Sequence, residues 1–235
     1  MERVEPVLRG EFASHPAAAR FAAEVARVHR RYAEEVVARY QLCPFLRDTV
    51  SGFGRFCVLL DREPQLETTL SAAREADSAV VHLIFPCVRT PAQRFERFAA
   101  GFGDKLRRAV DGAPTVQGIV VPPLESSKAP VLASFHPQMA GDPSNVHRLV
   151  GFLRRAPDPF VQLVPPGLSE GGTVLAGGGI EPVEDRSEGL FARLRGAGVE
   201  EIRAIILAIQ ADRDAAYAPF LAELGLPTEA PRFGG

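Results

Sequence analysis

The sequence predicts an α+β (or α/β) fold, a single-domain sandwich with helices packed on one face of a four- or five-stranded sheet, with a ferredoxin-like arrangement as the preferred version. Three observations carry this expectation. Short β-branched runs alternate with longer amphipathic stretches. The chain has 235 residues, 46% of them hydrophobic, which is material for one core. Its two most regular stretches each carry one apolar stripe, and a stripe needs a flat surface to cover.

The first of these stretches begins at Pro16, a residue suited to a first helical turn. Phe21, Val25, Val28, Tyr32, Val36 and Tyr40 then recur at three- and four-residue steps between charged residues. Pro44 disfavours helical geometry at Cys43, so the helix should stop there. Residues 55–60 read as a strand introduced by Gly52 and Gly54, and residues 64–76 as a helix with Leu66 and Leu70 on one side. The run 79–85, AVVHLIF, is apolar and β-branched, as a buried strand is.

From Pro91 a second stripe follows, made of Phe95, Phe98, Phe102, Leu106 and Val110. Residues 116–121, 131–135 and 160–164 are the remaining predicted strands. The glycine-rich stretch 166–182 lacks the lysine of a phosphate-binding loop and reads as a loop or lid. Residues 183–235 should be mostly helical, with Pro219 as a kink or break, and 1–235 is taken as one domain.

The formal net charge is −2, so no global field favours nucleic acid or an anionic membrane. No apolar run is long enough to span a bilayer, and MERVEPVLRGEF lacks a secretory pattern, which places the protein in the cytoplasm. Cys43, Cys57 and Cys87 are odd in number and widely spaced, unlike a disulfide framework or a paired-cysteine zinc site. The expected partner is a small anionic ligand held by local arginines; the sequence is silent on oligomeric state.

The stretch ASFHPQMAGDPSNVHRLVGFLRR and the APDPFVQLV after it concentrate polar chemistry at the end of an apolar run. LCPF at 42–45, ASFHP at 133–137, DPSN at 142–145 and RAPDPFVQL at 155–163 together resemble the bacterial family catalogued as domain of unknown function 1415. The order and approximate spacing agree over about the middle two thirds of the chain. Gln162 stands where that family has histidine, Pro165 where it has arginine, and Arg154 where it has asparagine, and an insertion separates Asn145 from Arg155. The resemblance therefore implies a divergent member. It brings no activity, but it directs attention to Cys43, His136, Asp142, Asn145 and Arg155.

Three functional readings fit these residues. In the first, an enzyme acts on a small anionic substrate, with His136 as acid/base, Asp142 its orienting partner, Arg155 (with Arg154 beside it) the anion anchor and Cys43 a nucleophile or ligand. In the second, the protein binds a metal through His136, Asp142 and His147, or haem through Cys43; the spacing matches no established metal motif, so any metal is expected to be weakly held. In the third, the same residues are non-catalytic and tie loops together. His82, inside a strand, is expected to be a satisfied core histidine, Cys57 and Cys87 core residues, and His15 and His29 surface residues.

Overall fold

The computed structural model describes residues 5–40, 53–76, 80–111, 130–142, 146–164 and 198–228, with single positions at 78, 144 and 192. Among the described residues the order is β1 (Val7–Arg9), α1 (Ala18–Tyr32) running on into a π-helical turn (Ala33–Ala38), β2 (Arg55–Leu59), α2 (Leu66–Glu75), β3 (Val81–Ile84), α3 (Ala92–Asp111), β4 (Val131–Phe135), α4 (Val146–Leu153), β5 (Phe160–Val164) and α5 (Val199–Glu223). Strand β1 was not anticipated: three residues are too few to show an alternation. The predicted strand 116–121 and the glycine-rich stretch 166–182 lie outside the described residues.

The five strands form one sheet in the order β1-β2-β3-β5-β4. Strands β1, β2 and β3 run parallel, and β5 is antiparallel to both β3 and β4. The class expected from sequence is thus observed, an α+β single domain. The strand order differs from a ferredoxin-like one, because two successive helical connections lay parallel neighbours side by side.

Helices cover both faces rather than one. Alternation along the strands sends Phe56, Val58, Ile84, Phe135 and Phe160 to a core shared with α1, α4 and α5. Cys57, Leu59, Val81, Leu83 and Val161 point the other way, to a core shared with α2 and α3. Period-two side chains from a sheet buried on both sides read as continuous apolar runs, which is why RFCVLL and AVVHLIF show no polar alternation.

Helix α5 docks on α1 through Phe21, stacked on Phe220 at 4.0 Å, and through Ile202, Ile206 and Ile209 in the same core. At the edge of this contact Arg27 holds Asp212 with both terminal nitrogens, at 2.9 and 2.7 Å, and Arg31 adds a third bond at 3.0 Å. The helix continues through Pro219 without a break.

The strand directions bring the carboxyl ends of β2, β3 and β4 and the amino end of β5 to one rim of the sheet. Open α/β sheets place their ligands outside the carboxyl ends of strands.

Candidate functional site

The register pairs Phe135 with Phe160, so β4 delivers His136 to the rim from which β5 departs. The backbone N–H of His136 donates to the carbonyl of Arg154 at 3.1 Å, and the residues flanking the two strands are neighbours. The antiparallel pairing on which a His136–Arg155 pocket depends is therefore present.

What the side chains do is a separate matter. The ring of His136 is fully buried. Its Nε2–H donates to the carbonyl of Thr90 at 2.9 Å, and its Nδ1 accepts from the backbone N–H of Gln138 at 3.0 Å. A carbonyl can only accept and an amide N–H can only donate, so these partners specify the neutral ring with its proton on Nε2. Burial also lowers the ring pKa from its ordinary value. His136 is thus engaged at both nitrogens with the backbone of the loops it joins.

Replacing His136 with alanine should strand the buried Thr90 carbonyl, which accepts from its Nε2–H, and cost about 1–3 kcal/mol. Imidazole ¹⁵N spectra at pH 6 are expected to show the Nε2–H tautomer. An imidazolium pattern there would refute the assignment.

Arg155 turns to the same loop. Its Nε and Nη2 donate to the carbonyls of Met139 and Gly141 at 3.2 and 3.1 Å, and its guanidinium lies over Phe152 at 5.1 Å. Asp142 closes a local turn, accepting from the backbone N–H of Ser144 at 2.9 Å and from its hydroxyl at 2.6 Å. Those two bonds hold its carboxyl below the usual range. Cys43 and Asn145 lie outside the described residues, and the structure describes no side chain for His147.

Arg154 behaves differently from its neighbour. It is half-buried with its guanidinium over Phe135 at 5.7 Å, and Phe135 in turn is stacked on Phe160 at 4.2 Å. Among the described residues it meets no hydrogen-bond acceptor and no ion-pair partner. Burial accordingly lowers its pKa, with only distant help from Tyr32 and Glu96 in the other direction.

The strongest polar cluster near the rim was not anticipated. Asp158, between Pro157 and Pro159, is fully buried. Its Oδ1 accepts from Arg213 Nε at 2.9 Å, and its Oδ2 from His29 Nε2–H at 3.1 Å and from the Tyr217 hydroxyl at 2.9 Å. Burial opposes its charge, but Arg213 and His29 outweigh that and hold its carboxyl well below the usual range. Arg213, itself fully buried, also bonds the Pro86 carbonyl, Asp214 and the Thr228 carbonyl. His29 is a core residue on α1, in place of the surface position its charged surroundings in the sequence suggest. A lone aspartate between prolines, and an arginine in an alanine-rich helix, were the signals in the sequence.

Cys57 and Cys87 are buried, and burial pushes both thiols up to about 12, which leaves them protonated and unreactive at neutral pH. His82 is buried with its Nε2–H donating to the Phe53 carbonyl at 2.8 Å, and burial moves its ring down to about 4. Among the described residues no group of three or more His, Cys, Asp or Glu is placed to hold a metal ion, and no helix is long and apolar enough to cross a membrane.

The fold and this rim define a mixed-sheet α+β domain with an arginine-bearing loop at the carboxyl ends of its strands. No protein-family model matches the chain, and neither the curated proteins nor the solved structures contain a significant match.

Proposed function

We propose that the protein is a cytoplasmic, divergent member of the domain-of-unknown-function 1415 family that binds a small anionic molecule, a carboxylate or phosphate ester, with Arg154 as the anchor. The observation that carries this reading is a half-buried guanidinium with no counter-charge among the described residues. Partial desolvation of an unpaired cation costs free energy, and a ligand oxyanion recovers it through charge-assisted bonds. The aromatic pair Phe135 and Phe160 beneath Arg154 fixes where those donors point.

In this reading the residues of the resemblance are positioning residues. His136 ties the end of β4 to the loop after β3, and Arg155 holds the 139–141 loop by its carbonyls. The non-catalytic alternative shares this feature, since a histidine bonded at both nitrogens has no lone pair to offer a substrate. The enzymatic reading requires that Cys43 or another group supply the chemistry beside Arg154.

Calorimetric titration with inorganic phosphate, pyrophosphate and citrate at constant ionic strength tests it. At least one should bind saturably, and Arg154→Ala should weaken it tenfold or more while leaving the thermal transition nearly unchanged. No binding by any of the three, or equal binding by R154A, would rule out Arg154 as the anchor.

A further inference from the structure

We propose that the tail after α5, residues 224–228, is a displaceable strap over a second anion site centred on Arg89, just beyond the end of β3. Helix α5 ends at Glu223, and the chain turns at Gly225, whose φ of 64° lies in the left-handed region that glycine tolerates. The Leu226 N–H donates back to the Leu221 carbonyl at 2.8 Å, and the Gly225 N–H to that of Ala222 at 3.0 Å. This turn sends the tail toward the rim, where three arginines meet its carbonyls. Arg62 reaches Leu224 O at 3.5 Å, Arg89 reaches Pro227 O at 2.9 Å and Arg213 reaches Thr228 O at 3.1 Å.

Two of these three cations already have carboxylates. Arg213 is matched by Asp158 and Asp214, and Arg62 lies 3.8 Å from Glu11. Arg89 has none within ion-pair distance among the described residues. Its acceptors are all carbonyls, those of Pro86 and Val88 at Nη1 and that of Pro227 at Nη2, while its Nε is buried with no acceptor.

The arrangement of those nitrogens identifies the ligand class. Nε–H and Nη2 lie on the same edge of a guanidinium, the edge that grips a carboxylate or phosphate with two parallel bonds. On Arg89 one half of that edge is empty and the other half is occupied by the strap. An anion that displaces Pro227 O gains both donors and replaces a neutral oxygen by a charged one. Nη1 stays fixed to the β3 loop, so the fork is already oriented for it. What holds the strap, besides these bonds, is the packing of half-buried Leu226 against the core.

Competition between strap and anion is the measurable consequence, and the site is independent of Arg154. Titrations with phosphate, pyrophosphate and citrate at constant ionic strength are therefore made on the full chain carrying R154A. Leu226→Ala, which loosens the strap, should tighten binding about fivefold. Arg89→Lys, which keeps the charge but loses the two-donor edge, should weaken binding tenfold or more, and its thermal transition reports whether it is folded. Should R89K not fold, the L226A result decides alone. Absence of binding by all three anions to the L226A protein, affinity unchanged or weakened by L226A, or a folded R89K that binds like its parent would each overturn the proposal.

Discussion

Replacing Asp158 with alanine is expected to destabilise the protein by about 3–5 kcal/mol, because it removes one partner of a fully buried ion pair and leaves the other with only the part-buried Asp214 carboxylate at Nη1. Arg213 is the charge left behind. It is fully buried, and Asp214 and the carbonyls of Pro86 and Thr228 supply no substitute at its Nε. His29 and Tyr217 would lose an acceptor in the same step. Total stabilities of domains run at about 5–15 kcal/mol, so the variant should be near the limit of folding at 37 °C. Urea unfolding at pH 7 measures the loss, and a loss below about 1 kcal/mol would show that Asp158 is not the hub described. Adding Arg213→Met to D158A should recover part of the loss, since an apolar side chain of similar length has no charge to strand.

The same carboxylate makes a signed prediction about pH. Arg213 and His29 hold the folded-state pKa of Asp158 below its unfolded value, which is about 3.9. The unfolded chain therefore binds the proton more readily, and stability rises with pH across this range. The contribution is complete above the unfolded pKa and is lost as pH falls below it toward the folded value. Between pH 5 and pH 2 the wild-type protein should lose stability more steeply than D158A; parallel curves would contradict the assignment.

Gly141→Ala should cost about 3 kcal/mol, the upper end for overpacking, because the atoms in the way are backbone. A Cβ on Gly141 would lie 1.9 Å from the Phe152 nitrogen, and one on Gly151 would lie 1.9 Å from the Ala140 carbonyl oxygen. The loop 139–142 thus lies flush on α4, main chain against main chain, with the Asp142 N–H donating to the Arg148 carbonyl at 3.2 Å. Arg155 grips the outer side of this loop through the Met139 and Gly141 carbonyls. Because Arg154 directly follows the end of α4 on which this loop packs, G141A should also weaken anion binding at Arg154, whereas a change confined to stability would separate the loop from that anchor. A thermal transition within 2 °C of wild type, for a change expected to shift it by roughly 6 °C or more at this chain length, would overturn the packing argument.

Much of the architecture was legible without coordinates. The stripe from Phe21 to Val36 defined α1, that from Phe95 to Leu106 defined α3, and Leu66 and Leu70 marked the stretch that forms α2. The apolar runs placed β2 to β5, and the position of His136 at the end of β4 followed from Pro137 after it. These features are local: they depend on the period of side chains along one segment and on what proline forbids. The convergence of the ASFHP and RAPDPFVQL segments depends on the antiparallel pairing of β4 with β5, which no local pattern shows.

Only the tertiary structure decided the rest, because hydrogen bonds between distant segments leave no periodic trace. His29 and Asp158 are 129 positions apart and Arg213 and Asp158 are 55 apart, yet they share one buried carboxylate. Adjacent arginines with the same chemistry have opposite circumstances: Arg155 spends its donors on Met139 and Gly141, and Arg154 keeps its donors over Phe135. Residue type determined what each group can do, while burial and available partners determined which group is still free to do it.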